Sequence, residues 1–451
     1  MRTYALIPIA VLICIVTNAA KAADTLAPEK LIHRHEFDEL EWSANGQRLA
    51  VVVTEPVTED GPAKNIWLYE SEVDQFRQIT WSGPSNRRPR WSPDGKILAF
   101  LSTRDDEKTQ LYALFMNGGE PQPLAKGMGD IVDFEWSPNG KSIAFTSADT
   151  DPDQESEEKN SKDDEVVVSE SNRPVRLRMV DIASGKTASL TDSTWRVSAF
   201  TWRPDGNSLI VSATDNLSLE LLTDRLFIIS DDGKNMSELA RPDGPVSKLS
   251  VSSDGRFLAY IGSSDGGPIP HGMYLQPLDG GELRRLTGQT ADRMITDYTW
   301  ADDGGLWTLA VNGFGDYLAH VAIDGTVRQQ PSFPGQSITA FDVAGPATAF
   351  IGQNSVDPQE LWIRDAAGTR QISKLNNDFP ALVEPMLIRF SAEDGFEIEA
   401  ALFEPVSIVK PKTGWKTVLL IHGGPTGRWS NSINDWAQVL AAHGFAVLAP
   451  N

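Results

Sequence analysis

Residues 91–100 read WSPDGKILAF, and copies of this decapeptide organise most of the chain. The others are WSANGQRLAV from Trp42, WSPNGKSIAF from Trp136, WRPDGNSLIV from Trp202, VSSDGRFLAY from Val251 and WADDGGLWTL from Trp300. A degenerate seventh, FDVAGPATAF, starts at Phe341. Starts at 42, 91, 136, 202, 251, 300 and 341 lie 49, 45, 66, 49, 49 and 41 residues apart. A period of about 40–50 residues holding several short strands marks propeller blades, each of which buries its apolar faces only against its neighbours. Asp-Gly or Asn-Gly at the turn tolerates the positive φ that tight hairpins need, and the alternation after it turns one face toward the next blade.

A further strand follows in each unit, as in Asn65-Ile-Trp-Leu-Tyr, Gln110-Leu-Tyr-Ala-Leu, Arg176-Leu-Arg-Met-Val, Arg225-Leu-Phe-Ile-Ile and Glu360-Leu-Trp-Ile-Arg. Another turn and a strand ending in Leu-Thr or similar complete it, as at Leu190-Thr191 and Leu286-Thr287. Seven such units close a ring without long free edges. A tryptophan that recurs at one repeat position is a blade-packing residue rather than a ligand platform. The Asp-Gly turns are likewise hairpin chemistry rather than calcium sites.

The 66-residue interval carries an insertion, residues 150–172, TDPDQESEEKNSKDDEVVVSESN. Its charge and lack of aromatics predict a solvated loop. Asp149, Asp151 and Asp153 give a D-x-D-x-D start, but Gln154 and Asn160 stand where an EF-hand needs Gly and Glu, so no metal is expected there. His33-x-His35 lacks an identifiable third ligand and is read as a solvent-exposed pair. No cofactor and no metal are expected.

Outward from the repeats, residues 386–405 alternate apolar and polar around Gly395, a β-hairpin. The final stretch, 415–451, is WKTVLLIHGGPTGRWSNSINDWAQVLAAHGFAVLAPN. Residues 418–421 predict a buried parallel strand ending in the tight loop His422-Gly423-Gly424-Pro425, of a kind that can place backbone N–H groups close to a substrate. Trp436, Val439, Leu440 and His443 fall at helical spacing, Gly444 is a stop, and residues 445–449 predict a second buried strand. A sheet of two or three strands here would leave 418–421 and 446–449 exposed at its edges.

Propeller, hairpin and HGGP strand, in this order, resemble the prolyl oligopeptidase (S9) family of serine peptidases across almost the whole chain. The resemblance implies a mostly β protein: a seven-bladed β-propeller followed by the incomplete start of an α/β-hydrolase domain. Domains are expected at 1–22 (signal peptide), 23–383 (propeller, with the acidic insertion) and 384–451 (hydrolase start). It further implies that His422, Gly423 and Gly424 stand at the oxyanion side of a catalytic site. In the family the nucleophile lies later, on a G-x-S-x-G-G elbow followed by an Asp and a His. The chain is therefore expected to end before its triad and to be inactive alone. A formal G-x-S-x-G-G at 262–267 is followed by Pro268-Ile269-Pro270, which cannot open the helix an elbow needs. Glu157-Glu158 is similar to the paired glutamates of dipeptidyl peptidases, but sits in the charged insertion and is given no such role. The complete enzyme would hydrolyse short peptides as an oligopeptide, acylaminoacyl or dipeptidyl hydrolase. The alternative is a peptide- or protein-binding propeller of the TolB type.

Composition narrows the partners. Lys and Arg number 40 against 62 Asp and Glu, a net charge of −22. A field of that sign repels nucleic acid and anionic lipid. Arg2, an apolar run over 5–16 and Ala20-Lys21-Ala22 predict a secretory leader, hence a periplasmic or secreted protein without a membrane span once the leader is removed. Cys14, the only cysteine, lies inside that leader.

Overall fold

The computed structural model describes residues 26–451 apart from 60, 106–107, 126–127, 150–173, 217–223, 264–270, 288–292, 332, 334–336, 407 and 425–426. The leader, the acidic insertion with Asp151, Asp153, Glu157 and Glu158, residues 264–267 of the formal elbow, and Pro425 lie outside them.

Among the described residues, seven four-stranded antiparallel sheets follow one another, each built from four consecutive strands. Their first strands line the axis: β1 (Glu36–Trp42), β5 (Asn86–Trp91), β9 (Ile131–Trp136), β13 (Arg196–Trp202), β17 (Val246–Val251), β21 (Ile295–Trp300) and β25 (Ser337–Ala344). Seven apolar clusters fill the junctions between sheets. One joins Ala50, Val52 and Ile66 of the first blade to Leu98 and Phe100 of the second, and another joins Leu49, Val51 and Val53 to Ala349 and Ile351 of the seventh. Successive residues of one strand thus face opposite neighbours, the period of two that LAVVV and ILAF encode.

The turn residues explain the motif. The repeat glycines Gly46, Gly95, Gly140, Gly206, Gly255 and Gly304 have φ of 67°, 67°, 68°, 70°, 72° and 82°, the left-handed region that a side chain resists. Four of the six preceding Asx side chains, Asn45, Asp94, Asn139 and Asp254, accept the Ser43, Ser92, Ser137 and Ser252 hydroxyls. Each serine oxygen in turn accepts the first amide of the next strand at 3.0 Å. The seventh blade departs from the sequence register. Trp42 pairs with Leu49 and Trp91 with Leu98, but Phe341 pairs with Phe350. Its turn is shorter by two residues, so Val343 stands where five of the other blades place Trp and the fifth places Val251.

A short helix α1 (Pro28–Ile32) precedes the first blade, and the C-terminal region forms one mixed sheet in the order β29 (Met386–Ser391), β30 (Glu397–Phe403), β32 (Ala446–Pro450), β31 (Thr417–Leu419), with helix α2 (Asp435–Ala442) against it. Only β31 is parallel to its neighbour. Two expectations are corrected here. Residues 446–449 are central, with Ala446, Val447 and Ala449 buried, because the hairpin strand β30 pairs antiparallel with β32. Residues 418–421 are not buried: β31 is the edge strand, with Leu419 56% and Ile421 70% exposed. Helix α2 also turns a different face inward, burying Ala437, Gln438 and Ala441 while Trp436 is 73% exposed. Small residues there let the helix lie close to the sheet. Among the described residues no helix is long and apolar enough to cross a membrane.

Candidate functional site

Two features stand out, an axial lumen through the propeller and the loop that follows β31. The lumen has a volume of about 650 Å³ and is lined by the first strand of every blade. Each of these strands carries a register shift midway, at 37/40 in β1, 87/90 in β5 and 338/340 in β25, for example. Such bulges re-aim side chains. Arg88 and Lys248 take φ of 51° at the bulges of their strands. Arg88 pairs with Asp133 of the next blade, and Lys248 with Asp297 of the next blade.

A second ring uses the residue before the first position of each repeat, Trp in five blades and Val251 in the fifth: Glu41, Arg90, Glu135, Thr201, Ser250, Thr299 and, in the shifted seventh blade, Asp342. Its acids reach across junctions. Asp342 Oδ2 accepts the Trp42 amide at 2.8 Å, Glu41 Oε1 accepts the Trp91 amide at 3.3 Å, and Glu135 Oε1 accepts the Thr201 hydroxyl at 3.2 Å. Glu41 also pairs with Arg90 at 3.0 Å. Water reaches these groups from the lumen, Glu41 keeping 26% of its side-chain surface, but protein surrounds them. That desolvation pushes the Glu41 carboxyl up to about 7, against the pull of Arg90. It pushes Glu135 up to about 8.

The loop after β31 carries the residues expected at the oxyanion side. His422 Nδ1 donates to the Gly423 carbonyl at 2.9 Å, which leaves Nε2 of a neutral ring as an acceptor. Gly423 and Gly424 are exposed, and among the described residues neither amide has an acceptor. The loop then doubles back so closely that a Cβ on Gly427 would collide with the Gly423 carbonyl. The structure brings His422, Gly423 and Gly424 together at one turn.

Its far limb is pinned. Trp429 donates its indole N–H to Leu420 O at 3.1 Å, and its backbone N–H and C=O bond the Asn451 side-chain amide at 2.7 and 3.0 Å. Asn431 N donates to Phe314 O at 2.6 Å, and its Oδ1 accepts the Ser355 amide at 3.1 Å. Arg428 Nη1 donates to Gly313 O at 2.9 Å while Nη2 bonds Asp316. Phe314 and Asp316 belong to the sixth blade, on the tip joining β22 (Leu306–Asn312) to β23 (Gly315–Val321). Phe314 is buried in the C-terminal core with Val383, Ala401, Phe403, Ala437 and Val447.

Sequence reasoning missed Phe314, Asp316 and Arg428. The Asn312-Gly313 pair announces a tight hairpin, but nothing local says that its tip enters another domain. The lumen rings had a usable signal in the first three blades, the charged residues one and three places before Trp42, Trp91 and Trp136: Glu41 and Glu39, Arg90 and Arg88, Glu135 and Asp133. Of the paired histidines, His35 contacts Glu55 at 3.2 Å, and among the described residues no group of three His, Cys, Asp or Glu has the arrangement of a metal site.

Comparison with known proteins adds kinship. The family model described as "TolB beta propeller domain" matches residues 39–176. An uncharacterised peptidase, YuxL of Bacillus subtilis (strain 168), is 27% identical over 495 aligned positions, covering 91% of this chain and 68% of that protein. Acylaminoacyl peptidase of Pyrococcus horikoshii superposes with a TM-score of 0.73 at 17% identity, over 94% of this chain and 66% of that one. A puromycin-hydrolysing peptidase of Mycobacterium tuberculosis gives 0.68 at 15%, over 94% and 68%. The chain thus spans about two thirds of the length of the proteins it matches.

Proposed function

We propose, from the premise that this chain belongs with the S9 peptidases in sequence and in fold, that it is the propeller and oxyanion-side portion of an exported serine peptidase acting on short peptides. The observation that carries this reading is the exposed pair of Gly423 and Gly424 amides, without acceptors among the described residues, on a loop braced by the propeller. Donors already aimed at a developing oxyanion are each worth roughly 3–4 kcal/mol in acyl transfer. His422, with Nε2 free of the Gly423 contact, is a third candidate donor when protonated. By the family resemblance, the serine, acid and base lie in the third of those proteins that this chain does not span. The reaction would be acyl transfer to water by a Ser-His-Asp triad. The lumen of about 650 Å³ favours extended peptides over folded proteins as substrates. Export rests on the apolar stretch at 5–16 and the Ala20-Lys21-Ala22 signal.

The test is labelling by a fluorescent serine-directed phosphonate together with hydrolysis of free and N-acylated peptide anilides. Native protein, captured from its source with an antibody to the propeller, is expected to label, to hydrolyse, to exceed the 49.4 kDa of this chain and to begin near residue 23. Residues 1–451 alone are expected to do neither. Labelling of the 451-residue chain would overturn the assignment of the triad. A native protein that neither labels nor exceeds this mass would favour the second reading, a TolB-like binding propeller, which the family match over 39–176 supports.

A further inference from the structure

We infer that Arg428 is a positioning residue, through which the sixth propeller blade sets the geometry of the His422–Gly423–Gly424 loop. The inference rests on the oxyanion reading above for its catalytic consequence, and on geometry alone for the anchoring itself.

The blade-six tip, residues 313–316, grips the loop at three points. The Phe314 ring enters the C-terminal core, the Phe314 carbonyl accepts the Asn431 amide, and Asp316 with the Gly313 carbonyl receives the Arg428 guanidinium. Asp316 keeps only 4% of its side-chain surface, and burial pushes its carboxyl up although Ser337 and Arg428 both bond it. A carboxylate so placed is costly without its partner. The Arg428 fork meets a carboxylate and a carbonyl at once, a geometry that the point charge of lysine does not reproduce. The tip is shaped for this approach. Gly313 has φ of 60°, and a Cβ there would strike the Glu399 carboxylate.

From Arg428 the path to the candidate donors is one residue long. Gly427 lies directly on the Gly423 carbonyl, in a contact too close for any side chain, with His422 Nδ1 also beside it. Whatever holds Arg428 therefore fixes how Gly427 presses on the Gly423 carbonyl, and with it the direction of the Gly424 N–H, which shares that peptide plane. The loop is carried on an edge strand, β31, which among the described residues has no neighbour on that side within its sheet. The propeller supplies the missing wall.

The test uses Arg428→Ala, Arg428→Lys and Asp316→Asn, with Arg389→Ala as a control. Arg389 pairs with Glu399 at the same interface but is 72% exposed. In the 451-residue chain, amide hydrogen exchange is expected to show lost protection over 420–431 for Arg428→Ala and Asp316→Asn. Protection of the first strands of the blades and of helix α2 should stay unchanged, and the control should change nothing. Unchanged exchange at 420–431, or a uniform loss from 397 to 451, would overturn the inference. In the native protein, Arg428→Ala is expected to lower kcat about 100-fold, the scale of a small misplacement of a catalytic group, with KM within about twofold. Arg428→Lys is expected to recover part of that loss. A loss confined to KM would overturn the positioning role. Absence of turnover in the unsubstituted native protein would sink the oxyanion reading instead, and the exchange data would still decide the anchoring.

Discussion

The junctions between blades one and two, two and three, and three and four differ from the one that closes blade seven onto blade one. In the first three, a tryptophan indole N–H crosses the junction to the preceding blade: Trp91 to Glu41 O at 3.1 Å, Trp136 to Arg90 O at 3.1 Å and Trp202 to Glu135 O at 3.3 Å. At the closing junction Trp42 is equally buried, but its Nε1 has no partner among the described residues. What closes the ring instead is apolar packing, the Asp342 clasp on the Trp42 amide, and two side-chain amides that meet the start of the first blade. Gln359 Oε1 accepts the Phe37 amide at 2.6 Å, and Asn376 exchanges two bonds with the His35 backbone at 2.8 and 3.0 Å. Among the described residues no strand is shared across the seam, since every blade sheet is built from consecutive strands. The same motif therefore makes two kinds of junction, and the difference lies in polar stitching rather than in the apolar core.

The sharpest way to break this comparison is in the cores themselves. Leu49 faces the seam and Leu98 faces the junction of blades one and two, and neither is exposed at all. Each Leu→Ala change is expected to cost about 3 kcal/mol in denaturant unfolding, since both delete the same atoms from closed packing. A much smaller loss for Leu49→Ala would mean that the seam opens before the ring unfolds.

The next contrast is electrostatic and concerns the clasps. Glu41 and Glu135 hold their protons up to about 7 and about 8, against 4.5 for an ordinary glutamate. A folded state with raised carboxyl values binds more protons than the unfolded chain, so this contribution is complete below about pH 4.5 and is lost as pH rises through about 8. Thermal unfolding is therefore expected to show Tm falling from pH 5 to pH 8, with Glu135→Gln flattening that slope. An unchanged slope in Glu135→Gln would place the titration elsewhere in the lumen.

The blades are legible in the sequence because seven copies state one packing problem seven times, and the Asp-Gly turns carry their own backbone geometry. The seventh copy misleads by two residues, since its shortened turn leaves Phe350 aligned while Phe341 slides off the Trp site. The C-terminal sheet is harder to read. Helical spacing revealed α2 but not its buried face, which is set by Gln438 bonding both the Val383 amide and carbonyl at 2.8 Å. Strand order depended on β30 pairing with a strand more than forty residues away, and Arg428 meets Asp316 across 112 residues. Neither pairing leaves a periodic trace. The His422-Gly423-Gly424 turn was visible as a motif, while the propeller tip that braces it was not.

The smallest expected effect isolates the stitching. Trp136→Phe removes an indole that donates to Arg90 O, and leaves that carbonyl without its side-chain donor. Trp42→Phe removes an indole N–H that is buried with nothing to bond among the described residues, so it relieves an unsatisfied donor while deleting the same ring atoms. Both lose comparable packing, since the two side chains are alike and similarly buried. The difference between them should therefore report the lost hydrogen bond together with the relieved donor, about 1 kcal/mol or more in favour of Trp42→Phe. Equal losses, measured by denaturant unfolding with matching slopes, would show that the indole bonds contribute nothing net. The seam would then differ from the other junctions only in which side chains clasp it.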